Sequence, residues 1–166
     1  FSKINLCLSA SKISRIYLKK LGVKNIKYLG NLKFAQSETD KLIKLNNLKK
    51  FMKKRKTWCA SSTHNNEEQF CGLVHRKLKL KYKNILTILI PRHVERTPSI
   101  VEELDNLGLK THVFDSKNKI DKDTDIYIMN SYGKTKSIYN FCNNVFLGGS
   151  LINHGGQNPL EATRYN

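Results

Sequence analysis

The sequence predicts an α/β fold, a doubly wound and mainly parallel sheet with helices on both faces. Three observations lead there. From Thr57 onward, strand-length segments alternate with helical segments of about 10–14 residues, the pattern of successive βα units. Ile85–Ile90 is a continuous apolar run, which suits a strand buried on both faces. The segments just after the predicted strands are polar, as expected where a parallel sheet presents a ligand site beyond its carboxyl ends.

Each element has its own justification. Over Ser9–Leu21, residues Ile13, Ile16, Tyr17 and Leu21 recur at helical spacing, and Gly22 can end that helix. Ile26–Leu29 is a short strand followed by Gly30 and Asn31. Thr39–Met52 reads as a helix with Leu42, Leu45, Leu48 and Met52 on one face. Thr57–Ser61 is a strand, and Asn65–Leu78 a helix expected to turn Phe70, Leu73, Val74 and Leu78 inward. After the Ile85–Ile90 strand come a helix over Thr97–Leu107 ended by Gly108, and strands over Lys110–Phe114 and Asp125–Met129. A helix over Lys134–Cys142, a strand over Asn144–Leu147 and a last helix opened by Pro159 complete the series.

The chain has 166 residues, enough for one domain with a sizeable core, and no apolar stretch approaches the roughly 20 residues of a membrane helix. Its first residues read as the middle of a fold, so the chain is expected to derive from a longer protein. Cys7, Cys59, Cys71 and Cys142 are far apart, which argues against a metal or redox centre and for reduced thiols. The net charge is +17, with Lys supplying 24 of 30 basic residues. Abundant Lys, Asn and Ile suit an AT-rich coding sequence, and no aromatic-basic stacking pattern accompanies the charge, so no nucleic-acid partner is expected. The run Lys53-Lys54-Arg55-Lys56 fits either a solvated face or contact with anionic lipid.

The candidate site lies in the segments at the carboxyl ends of the strands. Ser62, Thr63 and His64 come after the first strand of the main series; Pro91, Arg92 and His93 come after the buried one; Tyr132, Gly133 and Lys134 come after Asp125–Met129. The stretch Gly148–Glu161 succeeds the last strand and reads as a loop that cradles a phosphate. Its glycines Gly148, Gly149, Gly155 and Gly156, beside Ser150, let a backbone approach an anion, and the helix beyond offers free N–H groups. Asn158 fits the N-cap, Pro159 the first helical position, and Leu160 and Glu161 come next. Glu161 suits both a reciprocal cap and a carboxylate that accepts from ribose hydroxyls. Arg92 has a planar fork matched to phosphate or carboxylate. His64, His93 and His154 fit packing as well as ligand contact. No nucleophile–base pair is visible.

Taken together, these segments resemble the C-terminal domain of the 3-deoxy-D-manno-octulosonic acid (Kdo) transferases. The matching blocks are Gly30–Phe34, Trp58–His64 with Glu67 and Glu68, Pro91–Arg96, Tyr132-Gly133 and Phe146–Leu151 through His154–Glu161, in family order and over nearly the whole chain. The resemblance implies the Rossmann-like C-terminal half of a GT-B fold. Residues 1–30 would be the tail of an N-terminal domain and the connection, and 31–166 a donor domain lacking its last elements. It implies Kdo transfer from CMP-Kdo to a lipid A precursor at the cytoplasmic face of the bacterial inner membrane, the protein being peripheral there and touching an anionic surface. The acceptor and the general base would belong to the N-terminal domain, so no catalytic residue is expected in this chain, nor any metal or cofactor beyond the CMP-Kdo substrate.

By motif, the resemblance assigns CMP contacts to Pro91, Arg92, His93, Tyr132, Gly133, Lys134, Asn158, Pro159, Leu160 and Glu161. It assigns the sugar cleft to Ser62, Thr63, His64, Gly148, Gly149, Ser150, Gly155 and Gly156. Lys134 stands where the family has a glutamate, which leaves only backbone contacts to be expected there.

Overall fold

The computed structural model describes residues 3–31, 43–115 and 118–165. The chain divides into two compact units, Phe1–Lys41 and Leu42–Asn166. Leu32–Phe34 and Thr39–Leu42, which carry two of the sequence expectations, lie outside the described residues.

The first unit is a βαβ turn. Strands β1 (Cys7–Ser9) and β2 (Ile26–Tyr28) pair in parallel, Cys7 opposite Ile26, with helix α1 (Lys12–Lys20) between them. The helix starts later than its apolar spacing suggests because Ser11 caps it, its hydroxyl accepting from the Ser14 N–H at 2.9 Å. Gly22, at φ +83°, ends it. Strand β1 has no counterpart in the sequence pattern, since three residues are too few to show alternation.

The second unit holds the sheet. Its elements are α2 (Asn46–Met52), β3 (Lys56–Thr63), α3 (Glu67–Lys81), β4 (Ile85–Pro91), a 3₁₀ turn (Val94–Arg96), α4 (Thr97–Asn106), β5 (Thr111–Val113), β6 (Ile126–Ile128), α5 (Thr135–Tyr139), β7 (Val145–Leu147) and α6 (Leu160–Thr163). The five strands run parallel in the order β5-β6-β4-β3-β7. Every residue of β4 is buried. On one face Leu86, Ile88, Ile90, Tyr127 and Met129 pack with Leu48 and Met52 of α2, Ile138 of α5 and Ala162 of α6. On the other, Leu89, Ile126 and Ile128 pack with Ile100 and Leu104 of α4. Each fully buried aliphatic side chain contributes about 1.5–3 kcal/mol. The doubly wound parallel α/β expectation is therefore borne out. Among the described residues, no helix is long and apolar enough to cross a membrane.

Two helices depart from the sequence reading. Helix α2 begins at Asn46, and Ile43–Leu45 have no regular structure. The Ile43 N–H instead donates to the Ser137 hydroxyl at 2.8 Å, which draws this segment toward α5. In α3 the expected inward face is wrong in phase. Phe70 and Leu73 are exposed, while Glu67, Glu68, Cys71, Gly72 and His75 are buried. Gly72 lets α4 approach so closely that an added Cβ would lie 2.8 Å from Leu104. His75 Nδ1 is 2.8 Å from the Thr87 hydroxyl, and its Nε2 is 3.4 Å from Asp125. The two glutamates find their partners at the carboxyl edge of the sheet. The run at 53–56 is split in role: Arg55 donates to the carbonyls of Lys122 and Thr124 and lies over the Phe51 ring, while its three lysines are exposed.

Candidate functional site

Because all five strands are parallel, the segments after β3, β4, β6 and β7 emerge on one edge of the sheet. Strand β3 bulges at its end, where the register with β4 shifts between Ser61 and Thr63 and Ser62 takes φ +54°. Gly148 fits against this bulge. Its N–H donates to the Ser61 carbonyl at 2.8 Å, and a Cβ there would lie 2.1 Å from the Ser62 carbonyl oxygen. Only glycine permits that approach. Beside it, the Arg92 N–H donates to the Thr63 carbonyl at 2.9 Å, so the segment after β4 is tied to the same bulge.

Two consecutive glutamates at the start of α3 hold these segments together. Glu67 is 1% exposed. Its Oε2 accepts from the N–H groups of His64 at 2.9 Å and Gly149 at 2.8 Å, and its Oε1 accepts from those of Ser150 and Leu151, both at 3.1 Å. Burial alone would raise its pKa, but the four N–H groups outweigh burial and hold it below the ordinary glutamate value. Glu68, fully buried, receives Arg96 Nη1 at 2.9 Å and Nη2 at 3.3 Å, and Arg96 also donates to Asn65 at 3.0 Å. One carboxylate thus fastens the β7 loop to α3 and the other fastens the β4 loop.

This overturns part of the phosphate-cradle expectation. The N–H groups of Gly149, Ser150 and Leu151 do form an anion-binding concavity, but the anion is the protein's own Glu67. The helix beyond is also less than expected. α6 spans four residues, Leu160 opens it, and Asn158 Oδ1 accepts from the Leu160 N–H at 3.1 Å. Glu161 is exposed and forms no reciprocal cap. Thr63, expected to line a cleft, is fully buried, whereas Ser62 is half-buried.

The edge itself presents a group of cationic and imidazole side chains. His64 lies between two other histidines, with ring centroids 4.5 Å from His154 and 5.9 Å from His93. Gln157 Nε2 lies 3.3 Å from His64 Nε2, which brings the Gly155–Glu161 arm back over the β3 loop. Burial, then His154, lowers the His64 pKa, with His93 and Arg92 adding to the effect and Glu67 opposing it. His93 Nδ1 is 3.3 Å from Glu95. Arg92 is exposed, and among the described residues its guanidinium has no hydrogen-bonded or ion-paired partner, in contrast to Arg96 four residues on. Tyr132 is exposed, Gly133 takes φ +77°, and Lys134 turns its ammonium to Ser131 and over the Phe114 ring at 4.8 Å from the centroid. Among the described residues, no group of His, Cys, Asp and Glu is arranged to hold a metal ion.

Sequence reasoning finds Arg92 and the histidines but misses the organising role of Glu67, Glu68 and Arg96. The available signal, a pair of acids in the first turn of a helix, is weak, because acids are favoured there by the helix dipole alone and are ordinarily exposed.

No protein-family model matches the chain. Curated relatives do. A 3-deoxy-D-manno-octulosonic acid transferase of Haemophilus influenzae is 34% identical over 166 residues, which covers 97% of this chain and 39% of the relative. The enzyme of the same name from Aquifex aeolicus is 29% identical over 87% of this chain and 37% of its own length. A bifunctional glycosyltransferase/methyltransferase of Fusobacterium nucleatum is 29% identical over 98% of this chain and 26% of its own. The chain thus spans between a quarter and two fifths of these relatives. Among solved structures, the C-terminal CMP-Kdo binding domain of WaaA from Acinetobacter baumannii superposes with a TM-score of 0.61 at 30% identity, covering 69% of this chain and 60% of that one.

Proposed function

We propose that this chain, a homologue of the 3-deoxy-D-manno-octulosonic acid transferases over nearly all of its length, binds the sugar-nucleotide donor of Kdo transfer. The donor is CMP-Kdo, the acceptor a lipid A precursor held by another part of the enzyme, and the setting the cytoplasmic face of the inner membrane, against an anionic surface. In this reading an acceptor hydroxyl attacks the anomeric carbon and CMP leaves. The task of this chain is to hold CMP and stabilise the phosphate as its charge develops, a role for fixed donors and cations rather than for a nucleophile. The contacts proposed for CMP are Pro91, Arg92, His93, Tyr132, Gly133, Lys134 and Asn158–Glu161.

The observation that carries the reading is Arg92. It stands at the carboxyl edge of the sheet, held in place by its own backbone bond to the β3 bulge, and among the described residues its guanidinium has no internal partner. A fork so placed suits a ligand oxyanion. Titration of CMP by calorimetry tests it. Saturable binding is expected, weakened about tenfold or more by Arg92→Ala, the loss of a charge-assisted contact. Binding of a short oligonucleotide with a steep salt dependence, and no response to CMP, would instead mark a non-specific polyanion surface.

A further inference from the structure

We propose that His64 and His154, together with His93, which also serves CMP, form a second anion subsite, which receives the carboxylate of the donor's sugar acid. The inference rests on the donor-site reading above and extends it. The sugar named in the relatives is an acid, so its nucleotide conjugate carries two separate anions, a phosphate and a carboxylate. The site therefore needs two sets of donors. The glycine loop is not free to supply one, because Glu67 already occupies the N–H groups of Gly149, Ser150 and Leu151. Donors must come from side chains, and the edge presents two kinds: the Arg92 guanidinium and the three imidazoles.

The imidazoles are suitably poised. The rings of His93 and His154 flank His64 at 5.9 and 4.5 Å. Gln157 engages His64 Nε2, which leaves Nδ1 without a hydrogen-bonded partner among the described residues. Glu95 engages His93 Nδ1, which leaves its Nε2. His154 is exposed and neither of its ring nitrogens has a partner among the described residues. The charged and titratable groups facing His64 are His154, His93, Arg92 and, from α3, Glu67. Three of these four oppose an imidazolium at His64, and burial acts in the same sense, so His64 is held toward its neutral form. An arriving carboxylate reverses that balance, and its binding takes up a proton. The orientation of Gln157 matters too: turned to donate, its amide keeps Nε2 unprotonated and so places the single proton of a neutral His64 on Nδ1.

The test compares two ligands on the intact chain, CMP and freshly prepared CMP-Kdo, by calorimetry in buffers of different ionisation enthalpy. Near pH 6.5, CMP-Kdo should bind with uptake of a fraction of a proton that disappears in His64→Asn and His154→Asn, whereas the phosphate monoester of CMP titrates in this range by itself (second pKa about 6) and its proton exchange should be the same in wild type and both variants. His154→Asn and His64→Asn should each lower the ratio of CMP-Kdo to CMP affinity about tenfold. His154 is exposed, so its variant is safe from misfolding. CMP binding together with a CMP-Kdo proton uptake unchanged in both variants, or an affinity ratio unchanged in both variants, would overturn the subsite and leave the donor site standing. If neither ligand binds, the donor-site reading fails and the subsite fails with it.

Discussion

Removing the charge of Glu67 should destabilise the domain and flatten its response to acid. The carboxylate accepts from four N–H groups, of which those of His64 and Gly149 are buried. A buried donor left without an acceptor costs about 1–3 kcal/mol. Glu67→Ala strands both, and the partly exposed Ser150 and Leu151 groups can turn to water, so a loss of about 4 kcal/mol is expected. In Glu67→Gln the amide oxygen can keep the Ser150 and Leu151 bonds, but an NH₂ then faces the two buried N–H donors. That loss is about 2–4 kcal/mol, or roughly 10 °C in melting temperature. Urea unfolding followed by the fluorescence of Trp58, the single tryptophan, measures it. The pH dependence has a definite sign. Since the folded pKa lies below the ordinary value, Glu67 contributes fully above the unfolded-state pKa and loses its contribution as pH falls through the folded one. The gap between wild type and Glu67→Gln should therefore be widest near neutrality and shrink as pH falls below about 4. A glutamine variant as stable as wild type, or a gap that does not change with pH, would refute the clamp.

Other expectations rest on the same contacts. Gly148→Ala should cost about 3 kcal/mol or more, because the added Cβ meets backbone at 2.1 Å rather than a side chain that can turn away; its urea midpoint should fall below that of Gly155→Ala, where a Cβ meets nothing within 4 Å. Arg96→Met leaves Glu68 buried without its cation and should cost about 3–5 kcal/mol, with part recovered in the Arg96→Met, Glu68→Gln double variant, as unfolding of the cycle would show. A colorimetric thiol reagent should label Cys7 in the native protein and all four cysteines in denaturant: burial raises the Cys59 thiol far above its ordinary value, raises that of Cys142, and pushes Cys71 up to about 12.

The sheet is legible because strand length, apolar content and polar punctuation agree in β3, β4, β6 and β7. Where they conflict, the sequence misleads. Helix α3 has a passable apolar stripe in Phe70, Leu73, Val74 and Leu78, yet it turns Glu67, Glu68 and His75 inward. Polar satisfaction decides the phase there, and no periodicity of hydrophobicity can reveal a carboxylate whose partners lie 82 to 84 residues away. The start of α2 differs from its apolar spacing for a related reason, since a hydroxyl on Ser137 competes with helix formation at Ile43. The glycine loop is, as its sequence suggests, a place where backbone N–H groups converge on an anion. Its occupant is not legible, because an internal carboxylate and an external phosphate ask the same thing of a loop.

That substitution of occupant changes what kind of site this is. In a glycine-rich phosphate loop, successive backbone N–H groups form the anion-binding concavity themselves. Here the backbone groups of Gly149–Leu151 are committed to holding α3 to β7, and Arg96 is committed to holding the β4 loop to Glu68. Arg92 and the three histidines remain, all side chains, fixed by a frame whose own charges are neutralised internally. The two glutamates consequently face inward to the frame's N–H groups and guanidinium rather than outward to a ligand, so they do not repel an arriving dianion as exposed carboxylates would. In the proposed donor site, recognition built this way depends on single side chains, one guanidinium and three imidazoles. It is therefore open to tuning by point substitution to a degree that a backbone cradle is not.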